Sequence, residues 1–82
     1  MTCTVKIFGP LAAAAGDREL VVQTDQNQLT CTQLRALLTR QIPQISALLP
    51  ACRFAINHAY AEESQVIRPE DEVALIGLVS GG

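Results

Sequence analysis

Between residues 30 and 42 the chain carries its one convincing helix signal, and in 82 residues a single amphipathic helix among several strands can cover only one face of a sheet. Thr30-Cys31-Thr32-Gln33 fits a capping box, in which the Thr30 hydroxyl accepts from the Gln33 backbone while the Gln33 side chain reaches back. From there Leu34, Leu37, Leu38 and Ile42 form one apolar stripe, and Pro43 ends the helix.

The rest of the chain reads as strands and turns. Residues 2–8 alternate, with Cys3, Val5 and Ile7 on one side and Thr4 and Lys6 on the other. Gly9-Pro10 breaks this strand, and residues 11–15 suit a helical turn inside a loop that Gly16-Asp17 ends. Residues 18–24 form a second strand, so the first two make a hairpin with a long connection. Residues 53–57 read as a third strand, Asn57-His58 begins a turn, Val66-Ile67 is a short edge strand, and Arg68-Pro69-Glu70-Asp71 turns into the last strand. The order β-β-α-β-(β)-β predicts an α+β fold: a mixed sheet of four to five strands with one main helix packed on one face. At this length it is a single domain, 1–82, with 79–82 expected as a flexible C-terminal tail.

The final run, Val73-Ala74-Leu75-Ile76-Gly77-Leu78-Val79, sets Val73 and Leu75 on one side and Ala74, Ile76 and Leu78 on the other. Both faces are apolar, which a strand with one wet face does not need. Either the strand is central and doubly covered, or its second face is a binding patch; with so little chain left to cover it, the patch is the favoured reading. The run feeds Ser80-Gly81-Gly82. Glycine has no Cβ and passes through slots closed to other residues, and four residues beyond Leu78 reach about 13 Å when extended. The tail is therefore expected to carry its α-carboxylate into a partner's pocket. Its reference pKa is about 3.3–3.7, so it is ionised at neutral pH and a poor electrophile. It needs activation by another enzyme, most simply as an acyl-phosphate anhydride made from ATP.

Composition excludes several classes. With 49% hydrophobic and 17% charged residues the chain is too apolar for disorder. The apolar run near the C-terminus is far short of a membrane span of about twenty residues, and residues 1–6 lack a basic segment followed by an apolar one, so no membrane partner and a cytoplasmic location are expected. Net charge is −2, with all five acids of the second half, Glu62, Glu63, Glu70, Asp71 and Glu72, close together. They read as a solvated loop face, or as a patch that steers the chain onto a basic partner. No basic stripe or aromatic stacking platform is present, which disfavours nucleic acid.

Catalytic alternatives are thin. His58 is the sole histidine and falls in a turn, with no serine or cysteine placed near it by a recognisable motif. The acidic pairs lack a pocket to raise a pKa, and no phosphate-cradling glycine loop occurs. Cys3 and Cys31 follow strand and helix core periodicity, Cys52 has no assignment, and three scattered thiols with one histidine make no zinc site. No metal and no stably bound cofactor are expected.

The element order, with Phe8 and Gly16 bracketing the first connection, Leu34-Arg35 in the helix, Ala55-Ile56-Asn57 in the third strand, Asp71-Glu72-Val73-Ala74 opening the last and Val79-Ser80-Gly81-Gly82 at the tail, resembles the ubiquitin-like β-grasp sulfur carriers, and within them the small subunit of molybdopterin synthase. The resemblance implies that Gly82 is adenylated by an E1-like enzyme using ATP and converted to a thiocarboxylate. It implies that Val79, Ser80 and Gly81 line the insertion path into the large subunit of molybdopterin synthase, that Leu75, Ile76 and Leu78 dock, and that two small and two large subunits form a heterotetramer. The sulfur then builds the dithiolene of molybdopterin, with catalytic residues on the large subunit. The chain departs from the family at Gly77-Leu78, where a proline pair is frequent. Three other readings remain open: a sulfur carrier for thiazole synthesis, which is usually shorter and lacks the connection between Phe8 and Gly16; a protein modifier joined to lysines through Gly82; and a plain interaction domain.

Overall fold

The computed structural model describes residues 1–77, so the expectations for Leu78, Val79, Ser80, Gly81 and Gly82 lie outside the described residues. Seven strands and two helices follow in the order β1 (Thr2–Ile7), α1 (Gly9–Ala15), β2 (Glu19–Gln23), β3 (Leu29–Thr30), α2 (Cys31–Gln41), β4 (Cys52–Ile56), β5 (Ala59–Tyr60), β6 (Val66–Ile67) and β7 (Val73–Gly77). Two short turns of 3-10 helix, Pro43–Ile45 and Leu49–Ala51, join α2 to β4.

The main sheet has the order β2-β1-β7-β4-β5. β1 and β7 run parallel at its centre, with Val5 beside Val73 and Ile7 beside Leu75, and the other pairings are antiparallel. Strict alternation in β1 buries Cys3, Val5 and Ile7, while β2 buries Leu20 and Val22 on the same face. Across that face lies α2, which buries Cys31, Leu34 and Leu38, with Leu37 and Ile42 partly buried against the core. The Thr30–Gln33 capping box forms as expected: Gln33 N donates to Thr30 Oγ1 at 3.1 Å, and Thr30 N donates to Gln33 Oε1 at 2.9 Å.

Four features differ from the expectations. Residues 9–15 are a helix rather than one turn in a loop, so α2 is not alone. Pro10 sits in its first turn, four alanines propagate it, and Gly16 closes it at φ 75° with its N–H on Ala12 O at 2.9 Å. Only Leu11 of this helix is fully buried, so the sequence shows no apolar period to betray it. Residues 57–58 do more than begin a turn. Asn57 and His58 both take positive φ, 52° and 71°, and close a two-residue hairpin that adds β5 to the sheet. Val66-Ile67 belongs to a separate two-stranded sheet with β3. Finally, β7 is central, yet only one of its faces is covered, so the two alternatives posed for it are both partly realised.

Candidate functional site

Because α2 and the connections occupy one side of the sheet, the outward residues of every strand meet on the other. Register sets them in a row: Glu19 opposite Lys6, Lys6 beside Ala74, Ala74 opposite Ala55, Ala55 opposite Tyr60. Two alanines at the centre leave a shallow floor. Phe8 and Tyr60 rise on either side of it at 56% and 57% exposure, and Ile76 lies half-buried between them opposite Arg53. The Arg53 guanidinium stacks 4.8 Å from the Tyr60 ring centroid, which holds that ring in place. The resulting groove, about 520 Å³, has Lys6, His58 and Glu72 on its rim.

A second apolar groove of about 350 Å³ adjoins the first, and Phe8 and Ile76 border both. Its origin is Gly77, whose place in the alternation of β7 follows the buried Val73 and Leu75 but whose missing side chain leaves open space. Leu11, Leu48, Ala51 and Cys52 supply the other walls. Gly77 borders the second groove directly after Ile76, which borders both.

Of the residues expected to dock, Ile76 is placed on this face, while Leu78 lies outside the described residues. Leu75 is corrected: it is 0% exposed and belongs to the core, because β7 turns alternate residues inward and the grouping of Leu75 with Ile76 ignored that parity. Phe8 and Tyr60 were missed as parts of the face. Phe8 continues the polar side of β1, with Thr4 and Lys6, so an aromatic at that parity was the available signal. Tyr60 needed the hairpin register, which depends on the positive-φ pair Asn57-His58.

The charged groups build turns and rims. Asp71 is held below the usual carboxylate range by the Arg68 backbone N–H at 2.8 Å and by Asn57 Nδ2 at 3.1 Å. Glu72 stands between His58 Nε2 at 3.1 Å and Lys6 Nζ at 3.8 Å. Glu63 is lowered by hydrogen bonds from Arg35, whose Nε and a terminal nitrogen donate to its two oxygens at 2.9 Å each. Three of the five clustered acids, Glu63, Asp71 and Glu72, are thus each engaged by different local partners. His58, 82% exposed at its side chain, has no nucleophile among these contacts. Burial pushes the thiols of Cys3, Cys31 and Cys52 up, and Cys52 Sγ donates to Leu48 O at 3.1 Å. Among the described residues no group of His, Cys, Asp or Glu is arranged to hold a metal ion, and no helix is long and apolar enough to cross a membrane.

Comparison with known proteins adds the following. The model of the ThiS family matches residues 5–82. No curated protein matches the sequence at the stringency that solved structures meet. SAMP1 from Haloferax volcanii is 26% identical, with all of both chains covered and a TM-score of 0.81. A chain of the complex of subunits 1 and 2 of molybdopterin-converting factor from Helicobacter pylori 26695 is 22% identical, again with full coverage of both, at a TM-score of 0.68. A putative molybdopterin converting factor subunit 1 from Pyrococcus furiosus is 15% identical over 95% of this chain and 98% of that one, with a TM-score of 0.79. These likenesses establish the ubiquitin-like β-grasp fold.

Proposed function

The chain belongs to the ThiS family, and on that premise we propose that it is the sulfur-carrying small subunit of a molybdopterin synthase. The fold is that of a small ubiquitin-like carrier, not itself a catalytic domain. The observation that carries the proposal is the family match running through residue 82, which takes in Ser80-Gly81-Gly82 directly beyond the central strand and its open apolar face. In this reading an E1-like enzyme uses ATP to form an acyl-adenylate at Gly82, and a sulfur donor displaces AMP to leave a thiocarboxylate. Val79, Ser80 and Gly81 pass into the large subunit while Phe8, Tyr60 and Ile76 dock on its surface. The complex of subunits 1 and 2 from Helicobacter pylori supports a large-subunit partner, and a heterotetramer of two small and two large subunits is part of the proposal. The helix α1 between Phe8 and Gly16 supports this reading over thiazole synthesis, whose carriers usually lack that connection.

A second reading has its own observation. The likeness to SAMP1, a small archaeal modifier protein, is at higher identity than the likeness to either converting-factor structure, so conjugation through Gly82 to lysines of other proteins is the alternative. Intact-mass spectrometry of the protein from its native cells separates the two. Replacement of one oxygen by sulfur at the C-terminus is expected for the carrier; isopeptide adducts on other proteins with no thiocarboxylate would overturn it.

A further inference from the structure

The outer edge of β2 is left open in a way the sulfur-carrier reading does not use. Ile7 N donates to Arg18 O at 2.9 Å and Thr24 N to Met1 O at 3.0 Å, which with the register fixes positions 18, 20, 22 and 24 as those bonded to β1. The alternate residues Glu19, Val21 and Gln23 turn their N–H and C=O groups to the edge. One edge group is taken at each flank: Asp17 Oδ1 accepts from Glu19 N at 3.4 Å, and Gln41 Nε2 donates to Gln23 O at 3.1 Å. Between them, among the described residues, Val21 has no partner for either backbone group, and its side chain is 54% exposed. Phe8 and Tyr60, the other exposed large apolar residues among those described, belong to the open face; Val21 lines neither of its grooves. The opposite margin of the sheet is the two-residue β5.

Charge selects the occupant. Asp17, Glu19 and Asp25 stand in or beside this strand, with Arg18 the one cation of residues 17–25. Antiparallel pairing of two copies about Val21 would set Asp17 of each opposite Asp25 of the other, two like-charge pairs at once. An extended segment with a β-branched residue flanked two positions away by lysines or arginines instead meets Val21 with an apolar neighbour and Glu19 with a cation. We propose that the edge of β2 is a strand-addition site for such a basic-flanked segment of a partner protein, with main-chain bonds supplying affinity and the flanking charges supplying selectivity.

The test is a titration of the isotope-labelled full chain with acetyl-Lys-Thr-Val-Thr-Lys-amide and with its Glu-flanked counterpart, followed by amide shifts and amide exchange. With the lysine peptide the Val21 amide is expected to shift saturably and to exchange more slowly, with a Kd of about 1 mM, and salt should weaken the effect. Glu19→Lys, an exposed change, should reverse the preference between the two peptides. Val21→Pro removes the edge donor and should abolish binding by both; if that variant melts early, Glu19→Lys decides. Absence of a shift at Val21, shifts confined to Phe8 and Tyr60, or equal response to both peptides would overturn the proposal. So would a dimer in sedimentation that protects Val21 without any peptide, which would assign the edge to a second copy.

Discussion

Two neighbours on β7 separate binding from stability at the residue scale. Leu75 is fully buried in the core, so Leu75→Ala is expected to cost about 2–5 kcal/mol of stability through lost burial and the cavity left behind. Ile76 faces outward in the groove, so Ile76→Asp should leave the melting temperature nearly unchanged and weaken binding of the large subunit by about 2 kcal/mol or more. Thermal melting of both variants, with binding titrations on Ile76→Asp, checks the pair; unfolding of Ile76→Asp would place that side chain in the core. The cysteines make a second residue-scale case. Burial raises all three thiols, so they stay protonated and unreactive near neutral pH. Cys52→Ser retains a donor for Leu48 O and is expected to deliver sulfur as often per charged carrier as the wild type. A Cys52→Ser protein that melts normally but delivers no sulfur would show that a persulfide shares the load.

At the scale of elements, Arg35 joins three of them and the loop that carries Glu63. From α2 its guanidinium reaches Leu49 O, Cys52 O at 3.0 Å and both oxygens of Glu63, with the Phe54 ring centroid 5.2 Å away. Arg35→Ala leaves the two carbonyls without this donor and is expected to cost about 1–3 kcal/mol, loosening the Leu48–Cys52 wall of the second groove. Glu63 gives a pH signature with a definite sign. Its folded pKa is depressed, chiefly by the Arg35 hydrogen bond, so its contribution is fully present above the unfolded value of about 4.3 and is lost as pH falls through the folded value. The melting-temperature gap between wild type and Glu63→Gln should therefore be constant near neutrality and close on acidification. A gap that persists in acid would mean that it does not arise from the charge on Glu63.

For the whole molecule, the proposed chemistry sits at one end of the chain and the stability in another part of it. Deleting Gly82 keeps every core residue of β1–β7 and α2 and is expected to move stability by less than about 0.5 kcal/mol, while abolishing pterin conversion in an assay reconstituted with activating enzyme and large subunit. Retained conversion by the truncated chain would sink the carrier reading. The parallel pairing of β1 with β7 explains how one small domain can serve such a tail. It fixes the strand that leads to Gly82 in the middle of the sheet, where its outward residues share a face with those of β1, β4 and β5.

Much of this was legible before any coordinates, for local reasons. Alternation in β1, the capping box at Thr30 and the stripe Leu34-Leu37-Leu38 are each set by residues within a turn or two of one another, so the pattern survives in the chain itself. What the chain could not decide alone were properties of pairing. That β7 is central, that Leu75 turns in while Ile76 turns out beside Phe8 and Tyr60, and that Gly77 leaves a groove all depend on which strands lie side by side. Neighbours in a sheet are separated by tens of residues in sequence: Lys6 meets Ala74, and Arg53 meets Ile76. No periodicity records such distances, because the free energy that selects among pairings is the burial of the whole core at once rather than the preference of any one segment.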